Sequence, residues 1–148
     1  MPGLISPADQ QKLREAFAEM TRNVRLVFIT QTIGCETCPE TRQILDELPP
    51  LSDRIAVEEV NLVLDGERAA QYGIDRAPGI VVLYEDEAGA LHDSRMRFVG
   101  VPAGYEFVSL IQAVLLAGGR ASNLSDETRA RLAAVDKPTV MQVFTTPT

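Results

Sequence analysis

The sequence predicts an α/β fold, a mixed β-sheet flanked by helices, and three observations carry that reading. Two short runs, Leu26-Val27-Phe28-Ile29 and Ile80-Val81-Val82-Leu83, are continuously apolar, as in strands covered on both faces. Between the first run and a strand-like stretch at residues 55–62 lies a segment of helical periodicity. Strand, helix and strand then form a βαβ unit, with parallel strands and a right-handed crossover. After the second run come a polar turn containing Gly89, a returning strand and a long apolar helix, a ββα arrangement.

Each element has local support. Ser6 can cap a first helix, Pro7 suits its first position, and Asp9 stands where a capping-box acid would. Leu13, Ala16, Phe17 and Met20 share a face, so this helix should end near Met20. Val24–Thr30 is the first strand and residues 31–34 a loop. The next helix should start at Cys35 and run to Leu48, with Ile44, Leu45 and Leu48 inward and Pro49-Pro50 as its stop. Residues 55–62 form a strand with Ile55, Val57 and Val60 inward. A short helix over 67–72 closes at Gly73, and Ala77-Pro78-Gly79 leads into the strand 80–84. Residues 94–99 return as a hairpin, where Arg95 and Arg97 alternate with Met96 and Phe98 as a polar face. Tyr72 and Tyr84 read as core-edge aromatics and His92 as a solvated residue near the hairpin. The helix over 103–117 buries Phe107, Leu110, Ile111, Val114 and Leu115 and stops at Gly118-Gly119.

Residues 1–119 therefore make one unit, and 120–125 a linker. A further helix begins at Ser125-Asp126 with Leu132 inward, Asp136-Lys137-Pro138 breaks it, and 140–145 reads as another strand. Helix followed by Val140-Met141-Gln142-Val143-Phe144-Thr145 echoes the opening helix and Val24–Thr30. Residues 120–148 thus look like the start of a second copy. An extra strand without its own unit exposes an edge, so 140–145 is expected to pack in a homodimer or against the parent sheet.

Composition narrows the function classes. The 148 residues are 45% hydrophobic and 24% charged, a globular balance. A net charge of −7 disfavours nucleic-acid binding. No apolar run is long enough to span a bilayer, and the first residues lack a basic, apolar leader, so the expected address is cytoplasmic.

The two cysteines are the chemical signal. Cys35-Glu36-Thr37-Cys38 closes a loop too small to constrain the unfolded chain much. It does place two sulfurs within one helical turn at a helix N-terminus, where a thiolate is favoured. Disulfide exchange needs an attacking thiolate and a second thiol that resolves the mixed disulfide. Cys35 fits the nucleophile and Cys38 the resolving thiol. Glu36 opposes thiolate formation, and no Lys or Arg precedes Arg42 to offset it. Cys35 is therefore expected to be only modestly acidic and the pair not a strong oxidant, which a thiolate titration checks. The other readings are a zinc site, which would need His92, carboxylates or a dimer to complete four ligands, and inert buried thiols. Covalent haem attachment needs His after the second cysteine, where Pro39 stands. Pro78 is either a plain strand-start proline or, cis and facing the cysteines, a device that frees the backbone of Ala77 to pair with a substrate segment.

Cys35-Glu36-Thr37-Cys38-Pro39 after an apolar strand, with Ala77-Pro78 before another, resembles the thioredoxin superfamily. The leading helix and the repeated tail resemble, within it, the glutaredoxin-like protein disulfide oxidoreductases built of two tandem units, and the N-terminal region of alkyl hydroperoxide reductase flavoproteins. The resemblance implies a thioredoxin fold with an extra N-terminal helix and the start of a second unit. It makes Cys35 and Cys38 the redox pair and Pro78 the cis proline, with Ala77 beside it in substrate binding. Thr146-Pro147-Thr148 stands where such proteins often lead into a second CxxC. The chain departs from the family in Glu36-Thr37 between the cysteines, in Gly79 where Thr is common, and in having no acid within Val24–Thr30. The expected activity is exchange or reduction of protein disulfides, without an organic cofactor, with electrons from a reductase or a small thiol. The alternative is a binding or regulatory module whose cysteines sense redox state or hold a metal weakly.

Overall fold

Ser6 accepts the N–H of Asp9 (3.2 Å) and donates its hydroxyl to the Asp9 carboxylate (2.7 Å), so helix α1 (Pro7–Phe17) opens on the expected cap. The computed structural model describes residues 3–146; Pro147 and Thr148, the end of the family-like Thr-Pro-Thr, lie outside them. The helix stops at Phe17, short of Met20, and a turn at Ala18-Glu19 lets both Phe17 and Met20 reach the core. The chain then enters β1 (Val24–Thr30), crosses through α2 (Cys38–Asp46) and a single 3-10 turn at Pro49–Leu51, and forms β2 (Ile55–Asn61). The short helix α3 (Gly66–Gln71) precedes the hairpin of β3 (Gly79–Glu85) and β4 (Leu91–Val99), and α4 (Tyr105–Ala117) follows.

The sheet order is β2-β1-β3-β4, with β1 and β2 parallel and β3 antiparallel to both β1 and β4. This is the mixed sheet that the βαβ and ββα patterns require. Strand periodicity divides its side chains between two cores. Leu26, Phe28, Ile80 and Val82 pack with Phe17, Leu45, Leu48, Leu110 and Val114 on one face. Val27, Ile29, Val81 and Leu83 pack with Val60, Ala69 and Ile74 on the other. Covered on both faces, β1 and β3 have to be apolar throughout, which is why their sequences do not alternate. Tyr72 and Tyr84 are partly buried at the core edges.

From the hairpin onward three further expectations change. The returning strand starts at Leu91 rather than Ser94, because His92 and Asp93 pair with Tyr84 and Leu83 ahead of a register shift. Arg95 takes φ +66° there, while Ser94 donates to the Val82 carbonyl (2.6 Å) and accepts the Met96 N–H (3.1 Å), a bulge that blunts an edge strand. Helix α5 (Asp126–Ala133) forms, with Ser125 capping Thr128, but none of its residues is buried and Leu132 faces outward. Residues 140–145 form no strand and do not join the parent sheet. A strand needs a neighbour for its N–H and C=O groups, and the β2 and β4 edges do not supply one.

Candidate active site

β1 ends at Thr30, and Ile29 pairs with Gly79 at the beginning of β3. The sheet therefore brings the cysteine loop and Ala77-Pro78 to one end of its central strands, though they are about forty residues apart. Cys35 and Cys38 are joined as a disulfide with Cα atoms 5.5 Å apart. They are not equivalent: Cys38 is buried, 4% exposed, while Cys35 is half-buried and meets solvent.

The helix does not start at Cys35. Glu36-Thr37 form a turn, Thr37 is the N-cap, and α2 begins at Cys38. Pro39 gives the reason. In a helix running from Cys35, its ring would meet the Cys35 carbonyl four residues back and could donate no N–H to it. Beginning at Cys38 puts Pro39 in the first turn, where the missing donor costs nothing. Thr37 makes no side-chain cap. Instead its carbonyl accepts both the N–H (3.0 Å) and the hydroxyl (2.9 Å) of the fully buried Thr41.

The Ala77-Pro78 peptide is cis and Pro78 is buried. The Pro78 carbonyl accepts the N–H of Gly100 (2.9 Å), which anchors this segment to the end of β4. Ala77 and Cys35 both pack against the core cluster that includes Cys38. Among the described residues, neither backbone group of Ala77 has a hydrogen-bond partner. Gly79 leaves no room for the Thr common at this place, since a Cβ would sit 2.9 Å from Cγ2 of Ile74 and 3.5 Å from Cβ of Ile29.

The nearby cations are committed to other carboxylates. Glu36 is exposed. Arg42, the first cation after the cysteines, makes a two-pronged bond to Glu59 of β2, one arm at 2.8 Å, and lies 5.6 Å over the Phe28 ring. That bond holds the Glu59 carboxyl below its ordinary range and raises the Arg42 guanidinium. Arg76 pairs with Asp75 at 3.4 Å. His92 sits at the opposite end of the sheet, near the close of β3, stacked on Tyr84 and 2.7 Å from Asp86. It lowers the Asp86 carboxyl, helped by the N–H groups of Ala90 and Ala88. The length of β3, roughly 20 Å, separates it from the cysteines. Among the described residues no three His, Cys, Asp or Glu side chains converge on one point, so the zinc reading has no donor set within them. Among the same residues, no helix is long and apolar enough to cross a membrane.

Sequence reasoning missed Thr41, the Arg42–Glu59 pair, and the exposed apolar side chains Ile33, Val63 and Leu64 at this end of the sheet. Thr41, three residues after Cys38 and so on its side of the helix, was the one legible signal.

No family model matches the chain. A probable thioredoxin of Methanothermobacter thermautotrophicus is 30% identical over 86 residues, which span 57% of this chain and 87% of that one. The chain belongs to the thioredoxin superfamily. This thioredoxin-fold chain is also 30% identical over 112 residues to the alkyl hydroperoxide reductase component AhpF of Staphylococcus aureus, across 76% of its own length but 18% of that protein. Among solved structures it resembles the NTD_N/C domain of the alkyl hydroperoxide reductase AhpF from Enterococcus faecalis, with TM-score 0.77, 26% identity, and 90% of this chain against 62% of that one. It shares its fold with a protein disulfide oxidoreductase from Aeropyrum pernix K1, with TM-score 0.71, 23% identity, and 87% of this chain against 54% of that one. The chain thus spans less than two thirds of these longer relatives. It is a thioredoxin-like protein with a CxxC disulfide, and its relatives work in redox chemistry.

Proposed function

We propose that this thioredoxin-fold chain is a thiol–disulfide oxidoreductase that exchanges or reduces disulfides of protein substrates. The observation that carries the reading is the asymmetry of the pair: Cys35 is half-buried, whereas its disulfide partner Cys38 is buried. In the dithiol form, the Cys35 thiolate attacks a substrate disulfide, forms a mixed disulfide and releases one substrate thiol. Cys38 then attacks the Cys35 sulfur, restores the internal disulfide and releases the second thiol. Two electrons and two protons pass to the substrate. A reductase or a small thiol returns them.

Ala77 and Pro78 are proposed to hold the substrate. An extended segment crossing the disulfide would pair with the free N–H and C=O of Ala77, as in strand addition. Residues 120–148 are proposed to begin a second unit. The Enterococcus structure supports this, since it matches more of the chain than residues 1–119 make up.

The test is thiol trapping of Cys35 and Cys38 across a graded dithiol/disulfide buffer, read by mass. A reversible two-electron transition is expected, and its midpoint gives the direction of flux. Thiols that never pair, or pair irreversibly, would remove the enzyme reading.

A further inference from the structure

We infer that Thr41 is a positioning residue for closure of the Cys35–Cys38 disulfide, acting through the peptide that joins Thr37 to Cys38. The inference rests on the oxidoreductase reading and adds to it what holds the two thiols in place while they are unpaired. Thr41 is fully buried, and only it and Thr30 are both buried and polar among the described residues. A valine of nearly the same shape would need no partner there. The hydroxyl therefore calls for a role beyond filling the core.

What the hydroxyl holds is specific. It donates to the Thr37 carbonyl at 2.9 Å, beside the Thr41 N–H at 3.0 Å. That carbonyl belongs to the peptide plane on which Cys38 is mounted. Two donors fix the plane where one would leave it free to tilt. The rest of the first turn adds little, since Thr37 makes no side-chain cap and Pro39 has no N–H to give.

The redox forms need this hold unequally. In the resolving step the Cys38 thiolate attacks the Cys35 sulfur, and the bond from Cys35 to the substrate sulfur breaks. Cys38 is oxidised, and the substrate leaves as a reduced thiolate that takes up a proton from water, as Cys38 had given one up. Once the Cys35–Cys38 bond exists, it keeps the Thr37–Cys38 plane in place by itself. Before that, the hydrogen bonds to the Thr37 carbonyl do so. Thr41 therefore restricts the dithiol and mixed-disulfide forms more than the closed form, which raises the effective concentration of one sulfur at the other.

The experiment equilibrates the unaltered chain, Thr41→Val and Thr41→Ser with graded ratios of glutathione to its disulfide, then traps the thiols and reads them by mass. Closure of one chain consumes one glutathione disulfide and releases two glutathione thiols. In Thr41→Val the equilibrium constant for closure is expected to fall about fivefold, the effect of one net hydrogen bond. That moves the midpoint of this two-electron couple up by about 20 mV. Thr41→Ala, a second variant without the hydroxyl, should move it in the same direction, and Thr41→Ser, which keeps the hydroxyl, should leave it in place. Urea unfolding of Thr41→Val should show the disulfide form losing more stability than the dithiol form. An unchanged midpoint with equal losses in both forms makes Thr41 merely structural and overturns the inference, as does a shift in Thr41→Ser as large as in Thr41→Val. Absence of any reversible couple in the unaltered chain overturns the oxidoreductase reading itself.

Discussion

Val24–Thr30 and residues 140–145 are similar in pattern and opposite in fate. The first is the core of the sheet, with Leu26, Val27 and Ile29 fully buried. The second is unpaired, and Val140, Met141, Val143 and Phe144 are each between 85% and 89% exposed. The local chemistry of the two segments does not distinguish them. β1 has β2 and β3 on its edges, one core above it and another below. Residues 140–145 have none of these. A strand is a property of its neighbours more than of its own sequence.

The sharpest way to break this comparison is to truncate the matching aromatics. Phe28→Ala should cost about 3–5 kcal/mol, because it leaves a cavity in a packed core. Phe144→Ala should change stability by less than about 0.5 kcal/mol. Urea unfolding of the two variants measures both, and similar losses would mean that the tail is buried in solution. A smaller effect is expected at the β1 boundary. Gly79→Ala pushes a methyl against the buried Ile74 and should cost about 1–3 kcal/mol, more than any Ala substitution within 140–145.

The Arg42–Glu59 pair, which lies over Phe28, sharpens the contrast by pH. Arg42 lowers the folded-state value of the Glu59 carboxyl, so the pair's contribution is complete above the ordinary glutamate value, about 4.3. It is lost as pH falls from there through the lowered folded value. Both side chains are about half exposed, which limits the effect to at most about 1 kcal/mol. Arg42→Met should flatten this acid limb of the stability curve, and a limb of unchanged depth would assign it to other carboxylates. The smallest effect on stability is expected from removing residues 121–148. Thermal unfolding should move by no more than a few degrees, while the mass in solution should fall from dimer to monomer if the exposed 140–145 segment pairs between chains. An unchanged mass would end the homodimer proposal.

Short-range rules were enough to read the α/β class, the parallel βαβ unit, the Ser6 cap and the location of the cysteines from the residues alone. Apolar runs, turn residues and the spacing of two sulfurs carry that information locally. Gly79 stood out only through the family resemblance, as a departure from its common Thr. What depends on distant neighbours was settled only in the folded molecule. There α2 starts at Cys38, and Cys38 is buried while Cys35 stays open. Glu59 meets Arg42, and Glu47 at the end of α2 accepts the N–H groups of Leu4 (2.5 Å) and Ile5 (3.0 Å). Among the described residues, 140–145 are left without a pairing partner. Periodicity reports which face of an element is apolar, whereas burial and hydrogen bonding depend on what the rest of the chain brings against that face.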